Sequence, residues 1–255
     1  MHDAPVAPSI LADDQASGLR RLVGTGASRW TLVLLSGLRN ADLGVHLLKA
    51  LAPLDTGGRS TLVIDAARTQ VAAAAGLGLR FDLEHVLAGD CDISEACVPL
   101  GVRTWILPAG RAVDGVAADP ARGRLVASSL ETIASSFDET VLLLPAQRAA
   151  WTRQLAPLQD VGQAVIPVCA GPESSAAILT AIRLGVSDAE IGEFALLFLG
   201  LGEATAGRLL SGMAAITLRH FGARVRRART IADASAGPAR SVPGMDPASP
   251  SESGS

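Results

Sequence analysis

Short apolar runs rich in Val, Ile and Leu recur along the chain at helix-and-loop intervals. WTLVLL (30–35), STLVID (60–65), RTWIL (103–107), TVLLL (140–144), AVIPVC (164–169) and ALLFL (195–199) each have strand length. Apart from Thr and Arg at their ends they show little polar alternation, which predicts strands covered on both faces. Between them the spacing predicts helices over 41–52, 121–136, 146–158, 173–184 and 203–221. Strand and helix in alternation imply a mostly parallel sheet with helices on both faces, a three-layer α/β domain. Pro167 inside one run cannot donate to a ladder and is expected at a strand end or edge. No internal repeat is evident.

This pattern divides the chain into an N-terminal arm (1–29), an α/β domain (30–231) and a tail (232–255). The arm holds a short helical candidate followed by the joint GTGAS. The tail, ASAGPARSVPGMDPASPSESGS from 234, has little to bury and is expected to be disordered. The first residues, MHDAPVAPSILADDQ, lack a basic region followed by an apolar core, so no secretory signal is read there. The longest strongly apolar stretch, FALLFLGLG (194–202), is too short to span a bilayer.

Composition narrows the function classes. Aromatic residues make up 3% of the chain and Tyr is absent, so base stacking on nucleic acid is not expected. The net charge of −3 exerts no general pull toward nucleic acid or anionic membrane. All 22 basic residues are arginine except Lys49. Cys91, Cys97 and Cys169 are odd in number and lack metal-ligand spacing, which points to a reduced, cytoplasmic protein with buried thiols. His2, His46, His85 and His220 show neither metal spacing nor a nucleophile partner; Glu84 and Asp90 near His85 read as a solvated helix face.

Three segments carry a resemblance. DLEHVLAGDCDISEACVPLGVRTWILPAG (82–110) resembles the part of MinD/ParA-like ATPases in which a helix pair leads into a strand ending LPAG. DDQASGLRRLV (13–23) is similar to the DQAxxLR motif of the FlhG/FleN flagellar-number regulators within that superfamily. GEATAGRLLSGMAAITLRHFGARVR (202–226) resembles a further segment of the same family. The likeness runs from about residue 13 to 231, and implies a P-loop NTPase fold of MinD type. Bacterial tyrosine kinases and cellulose-synthesis accessory ATPases share the LAG…LPAG part.

The resemblance also locates a phosphate loop and shows it degraded. Such loops need glycines, so that consecutive backbone N–H groups converge on phosphate at a helix N-terminus, then a lysine and a Ser or Thr for Mg²⁺. In SGLRNADLG, Ser36 and Gly37 match the family pattern. Leu38 replaces its first lysine, Arg39 and Asn40 two glycines, Asp42 a third, Leu43 the second lysine and Gly44 the Ser/Thr. Asp42 sets a carboxylate where phosphate charge belongs, a repulsion of ~4 kcal/mol at ~4 Å and an effective dielectric near ~20. Lys49 lies six residues beyond Leu43 and points elsewhere; Arg39 is the candidate for rescue. The acid the family carries after its fourth strand is missing from TVLLLPAQ (140–147), and its base-proximal signature is altered to AGPESS (170–175). Asp65 survives alone as a vestigial acid, read as a strand-end hydrogen-bonding residue.

A non-enzymatic protein without bound cofactor follows, where the intact family uses ATP and Mg²⁺. The arm is then the surviving functional candidate. Asp13 or Asp14 can cap a helix carrying Ala16, Leu19 and Leu22 on one face, with Gln15 and Arg20 beside it. Gly18 weakens this helix by roughly 1 kcal/mol. By the resemblance it contacts the signal-recognition-particle-type GTPase FlhF: Gln15 is the activating residue, and Asp14, Ala16, Leu19 and Arg20 the docking contacts. The alternative is an arm packing Leu19 and Leu22 onto its own domain. A flagellar transcription regulator or switch protein is a further expected partner, and the loss of the first lysine predicts a monomer. Location is expected to be cytoplasmic, at a pole or near the membrane only through a partner. Arg219, His220, Arg224, Arg226, Arg227 and Arg229 have the character of a basic membrane anchor. Alignment puts 203–221 on an internal helix and 223–231 on a last strand instead, so weak or no membrane contact is expected. Two other functions remain open: an active ATPase with an unconventional loop, and a pseudo-ATPase scaffold in polysaccharide synthesis.

Overall fold

A computed structural model describes residues 29–36, 42–116, 119–159, 163–170 and 174–231. The arm, with Asp14, Gln15, Ala16, Leu19 and Arg20, lies outside the described residues, as do Gly37, Leu38, Arg39, Asn40 and the tail from 232.

The strands are β1 (Arg29–Leu35), β2 (Thr61–Asp65), β3 (Val98–Pro99), β4 (Thr104–Pro108), β5 (Glu139–Pro145), β6 (Gln163–Cys169), β7 (Glu193–Leu199) and β8 (Arg224–Ala228). They form one sheet in the order β3-β4-β2-β5-β1-β6-β7-β8, parallel except for β3. The apolar runs of the sequence are these strands, because a parallel strand covered on both sides has no polar row to show. Chain order reverses at β1: β2 and β4 lie to one side, β6 to β8 to the other. Ligands of doubly wound sheets bind at the carboxyl end of such a strand, here at Ser36.

Ten helical segments connect the strands among the described residues: α1 (Leu43–Thr56), α2 (Val71–Ala74), α3 (Leu83–Ala88), α4 (Ile93–Ala96), α5 (Gly110–Val116), α6 (Pro120–Ala134), a 3₁₀ helix (Ala146–Gln154), α7 (Ala156–Gln159), α8 (Ser174–Ala189) and α9 (Glu203–Phe221). Two apolar clusters fill the sheet faces. One gathers Leu32, Leu34, Ile64, Leu107, Leu142 and Ile166 with helical residues Leu130, Trp151, Ile182 and Met213. The other joins Val33, Val63, Val141, Val165 and Leu197 to Leu47, Leu51 and Leu54 of α1 and Val71 of α2.

Two sequence expectations are corrected. The helix expected over 146–158 is a 3₁₀ helix followed by one α-turn. Ala146, Ala149, Thr152, Leu155 and Leu158 are buried at every third position, the 3₁₀ period, with Trp151 buried beside Thr152. Pro167 lies within β6, neither at its end nor at the sheet edge. The ladder to β7 runs the whole strand, from Gln163↔Glu193 to Cys169↔Leu199, whereas toward β1 it shrinks to Val33↔Val165.

Candidate functional site

The carboxyl end of the sheet is built around β1, β2, β4 and β5. Beyond β1, α1 starts at Asp42, an exposed N-cap residue whose side chain makes no capping bond. Its carbonyl accepts from the His46 N–H at 2.9 Å, the ordinary first helical bond. The Asp42 charge also reaches Cys169 at the end of β6, whose thiol is raised by burial first and by Asp42 second. Leu43 is half-buried against the α1-side core and Lys49 is exposed one and a half turns further on.

Gly44 decides the rest of the geometry. A Cβ at this position would lie 2.7 Å from the Gln70 carbonyl oxygen and 2.9 Å from that of Thr69. The loop after β2 thus presses its backbone onto α1 where the family carries its Ser/Thr, and only glycine admits so close an approach. Positive φ at Arg68 (53°) and Gln70 (66°) turns the loop back toward the helix. On its other side the loop meets α5: a Cβ at Gly110 would be 2.7 Å from Arg68 Cγ. The loop backbone thus packs against Gly44 of α1, and the Arg68 side chain against Gly110 of α5.

Asp65 anchors that loop from beneath. Its buried carboxylate accepts from Thr69 N–H (2.9 Å), Thr69 Oγ1–H (3.0 Å) and Ala67 N–H (3.1 Å). Burial raises its pKa, partly opposed by these bonds. Its backbone carbonyl accepts from Ala109 N–H at 3.0 Å. Asp65 is thus a strand-end hydrogen-bonding residue with its lone pairs turned inward.

Above the ends of β2, β4 and β5, Asp114 sits between Arg68 (2.7 Å) and Arg148 (3.6 Å). These exposed pairs add little stability, at most about 1 kcal/mol each, and they tie together the segments that follow β2, β4 and β5. The histidine neighbourhood is likewise structural. His85 Nδ1 lies 2.9 Å from Asp82 Oδ1 within the capping box of α3, and Glu84 pairs with Arg122. Cys97 is pushed up to about 12 by burial and is unreactive in that state. No group of three or more His, Cys, Asp or Glu among the described residues could hold a metal ion.

Sequence reasoning found Asp42, Leu43, Gly44 and Asp65 but missed Thr69 and Gln70. Asp followed four residues later by Thr is a weak turn signal, and nothing in the sequence pairs it with Gly44. The expected 203–221 helix and following strand are α9 and β8. No described helix is long and apolar enough to cross a membrane.

The fold matches solved structures with little sequence in common. The MinD cell division protein of Aquifex aeolicus superposes with a TM-score of 0.52 at 16% identity, covering 76% of this chain and 79% of that one. The ATP complex of a single-residue variant of McdA from Cyanothece gives 0.51 at 16% identity, covering 80% and 84%. The kinase domain of the Escherichia coli tyrosine kinase ETK gives 0.51 at 15% identity, covering 79% and 83%. The chain has the three-layer fold of the MinD/ParA-like P-loop ATPases. No protein-family model matches it, and no curated protein matches its sequence.

Proposed function

We propose that this chain is a pseudo-ATPase of the FlhG/FleN kind, which regulates flagellar number or placement through protein contact and without nucleotide chemistry. The observation that carries the loss of chemistry is the Gly44–Gln70 backbone contact. Phosphate and Mg²⁺ need a hydroxyl and a lysine at the start of α1. Here Leu43 and Gly44 stand there, the β2 loop occupies the adjoining space, and Asp42 repels anions. Asp65, the one surviving acid, has its oxygens committed to Thr69 and Ala67. These residues do not fit Mg·ATP. Titration calorimetry with Mg·ATP is expected to give no heat of binding at micromolar to submillimolar nucleotide; micromolar affinity would overturn this part of the reading.

The positive function rests on DDQASGLRRLV (13–23) and its resemblance to the GTPase-activating motif. A peptide of residues 9–26 is expected to raise the GTP hydrolysis rate of a cognate FlhF-like GTPase, with Gln15 ordering the attacking water. Gln15→Ala should remove most of the stimulation, ~10²-fold for a group that positions a nucleophile, while leaving peptide binding nearly unchanged. If neither the peptide nor the full chain alters the rate, the activating role is wrong.

A further inference from the structure

The sheet ends on two unlike edges. At one, β3 is two residues long, antiparallel to β4, and contains Pro99, whose nitrogen carries no proton. Shortness and proline are ordinary guards against a further strand. At the other, β8 runs five residues parallel to β7, from Glu193↔Arg224 to Leu197↔Ala228, without proline. Among the described residues no strand lies on its outer side. The register fixes which backbone groups stay open there. Arg224 N–H donates to the Gly192 carbonyl at 2.9 Å, so the backbone groups of Arg224, Arg226 and Ala228 point to β7. Alternation along a strand then turns the N–H and C=O of Val225 and Arg227 outward. Val225 is half-buried and Arg227 exposed, so water reaches this edge.

The charged side chains around this edge are mostly of one sign. Arg224, Arg226 and Arg227 lie on β8, Arg229 just beyond it, and Arg219 in the last turn of α9. The acids of β7 and α9 are Glu193 and Glu203 alone, in a chain whose net charge is −3. The edge is therefore a local excess of arginine on an otherwise acidic protein. Glu203 holds Arg227, whose guanidinium lies 5.8 Å from the Phe198 ring centroid, and Arg226 donates to Gln163 Oε1 at 3.0 Å. Arg219 and Arg224 are exposed and form no ion pair among the described residues. Strand alternation sends Arg224 and Arg226 to one face of the sheet and Arg227 to the other.

We infer that β8 receives an extended acidic segment of a partner protein as an added strand. The segment's main chain bonds to the outward groups of Val225 and Arg227, and its Asp or Glu side chains meet Arg224 and Arg226 on one face or Arg227 on the other. At ~3.3 Å per residue, β8 matches about five residues of such a segment. A second copy of this chain fits badly, because two β8 strands side by side set arginine against arginine. A membrane or a nucleic acid would use the charge and leave the backbone groups unused. The tail does not have the required chemistry: its acids Asp233, Asp246 and Glu252 stand apart, and Pro238, Pro243, Pro247 and Pro250 interrupt it with residues that cannot donate to a ladder. This inference stands apart from the proposed function and does not involve the GTPase.

The test titrates the full chain into labelled, end-blocked peptides of about six residues that alternate Glu with Val, read by fluorescence anisotropy. The acidic peptides are expected to saturate, and peptides with Lys in place of Glu to bind about tenfold more weakly or not at all. N-methylation of the central amides, which removes ladder donors and keeps the charge, should weaken binding about tenfold. Bound acidic peptide should slow hydrogen exchange in 224–228 and leave 61–65 and 104–108 unchanged. Arg224→Gln should lower the affinity about threefold, the loss of one cross-strand charge pair. No saturable binding of the acidic peptides below ~1 mM would overturn the inference. So would an N-methylated peptide bound as well as its parent, which would reduce the edge to a charged surface. Binding of phosphatidylglycerol vesicles or duplex DNA in place of the peptides, lost in Arg219→Gln/Arg224→Gln, would also overturn it and assign the arginines to a polyanion. The peptide comparisons need no variant to fold.

Discussion

Gly44 and Asp65 fix the geometry of the loop after β2. Gly44 lies in the first turn of a helix, where alanine would gain ~1 kcal/mol of propensity. The Gln70 carbonyl at 2.7 Å from its missing Cβ is backbone and cannot swing aside. Overpacking of this kind costs about 1–3 kcal/mol. Leu43→Lys/Gly44→Ser, which restores the family's letters, is therefore expected to lower the melting temperature and create no ATP affinity, as read by thermal unfolding with and without Mg·ATP. Asp65 predicts a pH dependence. Burial raises its folded pKa above the ordinary carboxylate value, so the native state holds a proton that the unfolded chain releases. Stability from this group is present below the ordinary value and declines as pH rises toward the raised one. Asp65→Asn should flatten that decline in denaturant unfolding across the acidic range; an unchanged slope would show that Asp65 does not titrate between the two states.

At the scale of elements, the strands were legible because each is a continuous apolar run, and α8 and α9 because their length leaves room for a full helical pattern. The connection after β5 was not. Its Ala146, Ala149, Thr152, Leu155 spacing has a period of three, which a search for period 3.6 absorbs into an ordinary helix. The helix pair at 83–96 came from the resemblance, and α5 and β3 were missed because seven and two residues are too few to show a period. The β2 loop was illegible for another reason. Its shape depends on positive φ at Arg68 and Gln70 and on glycines 26 residues before and 40 after Gln70, so no local window contains its cause.

At the scale of the whole molecule, the sheet order makes β1 the reversal point and sets every element of the degraded site at one edge. By itself the sequence determined the fold class, most of the strands, the absence of the phosphate-loop letters and the presence of DQASGLR, since each is written in a contiguous stretch. Tertiary structure alone decided that the β2 loop fills the space beside Gly44 and that Asp65 is bonded to Thr69. Those are contacts between backbone and side chains far apart in the chain, and their energies depend on distances that no spacing of letters records.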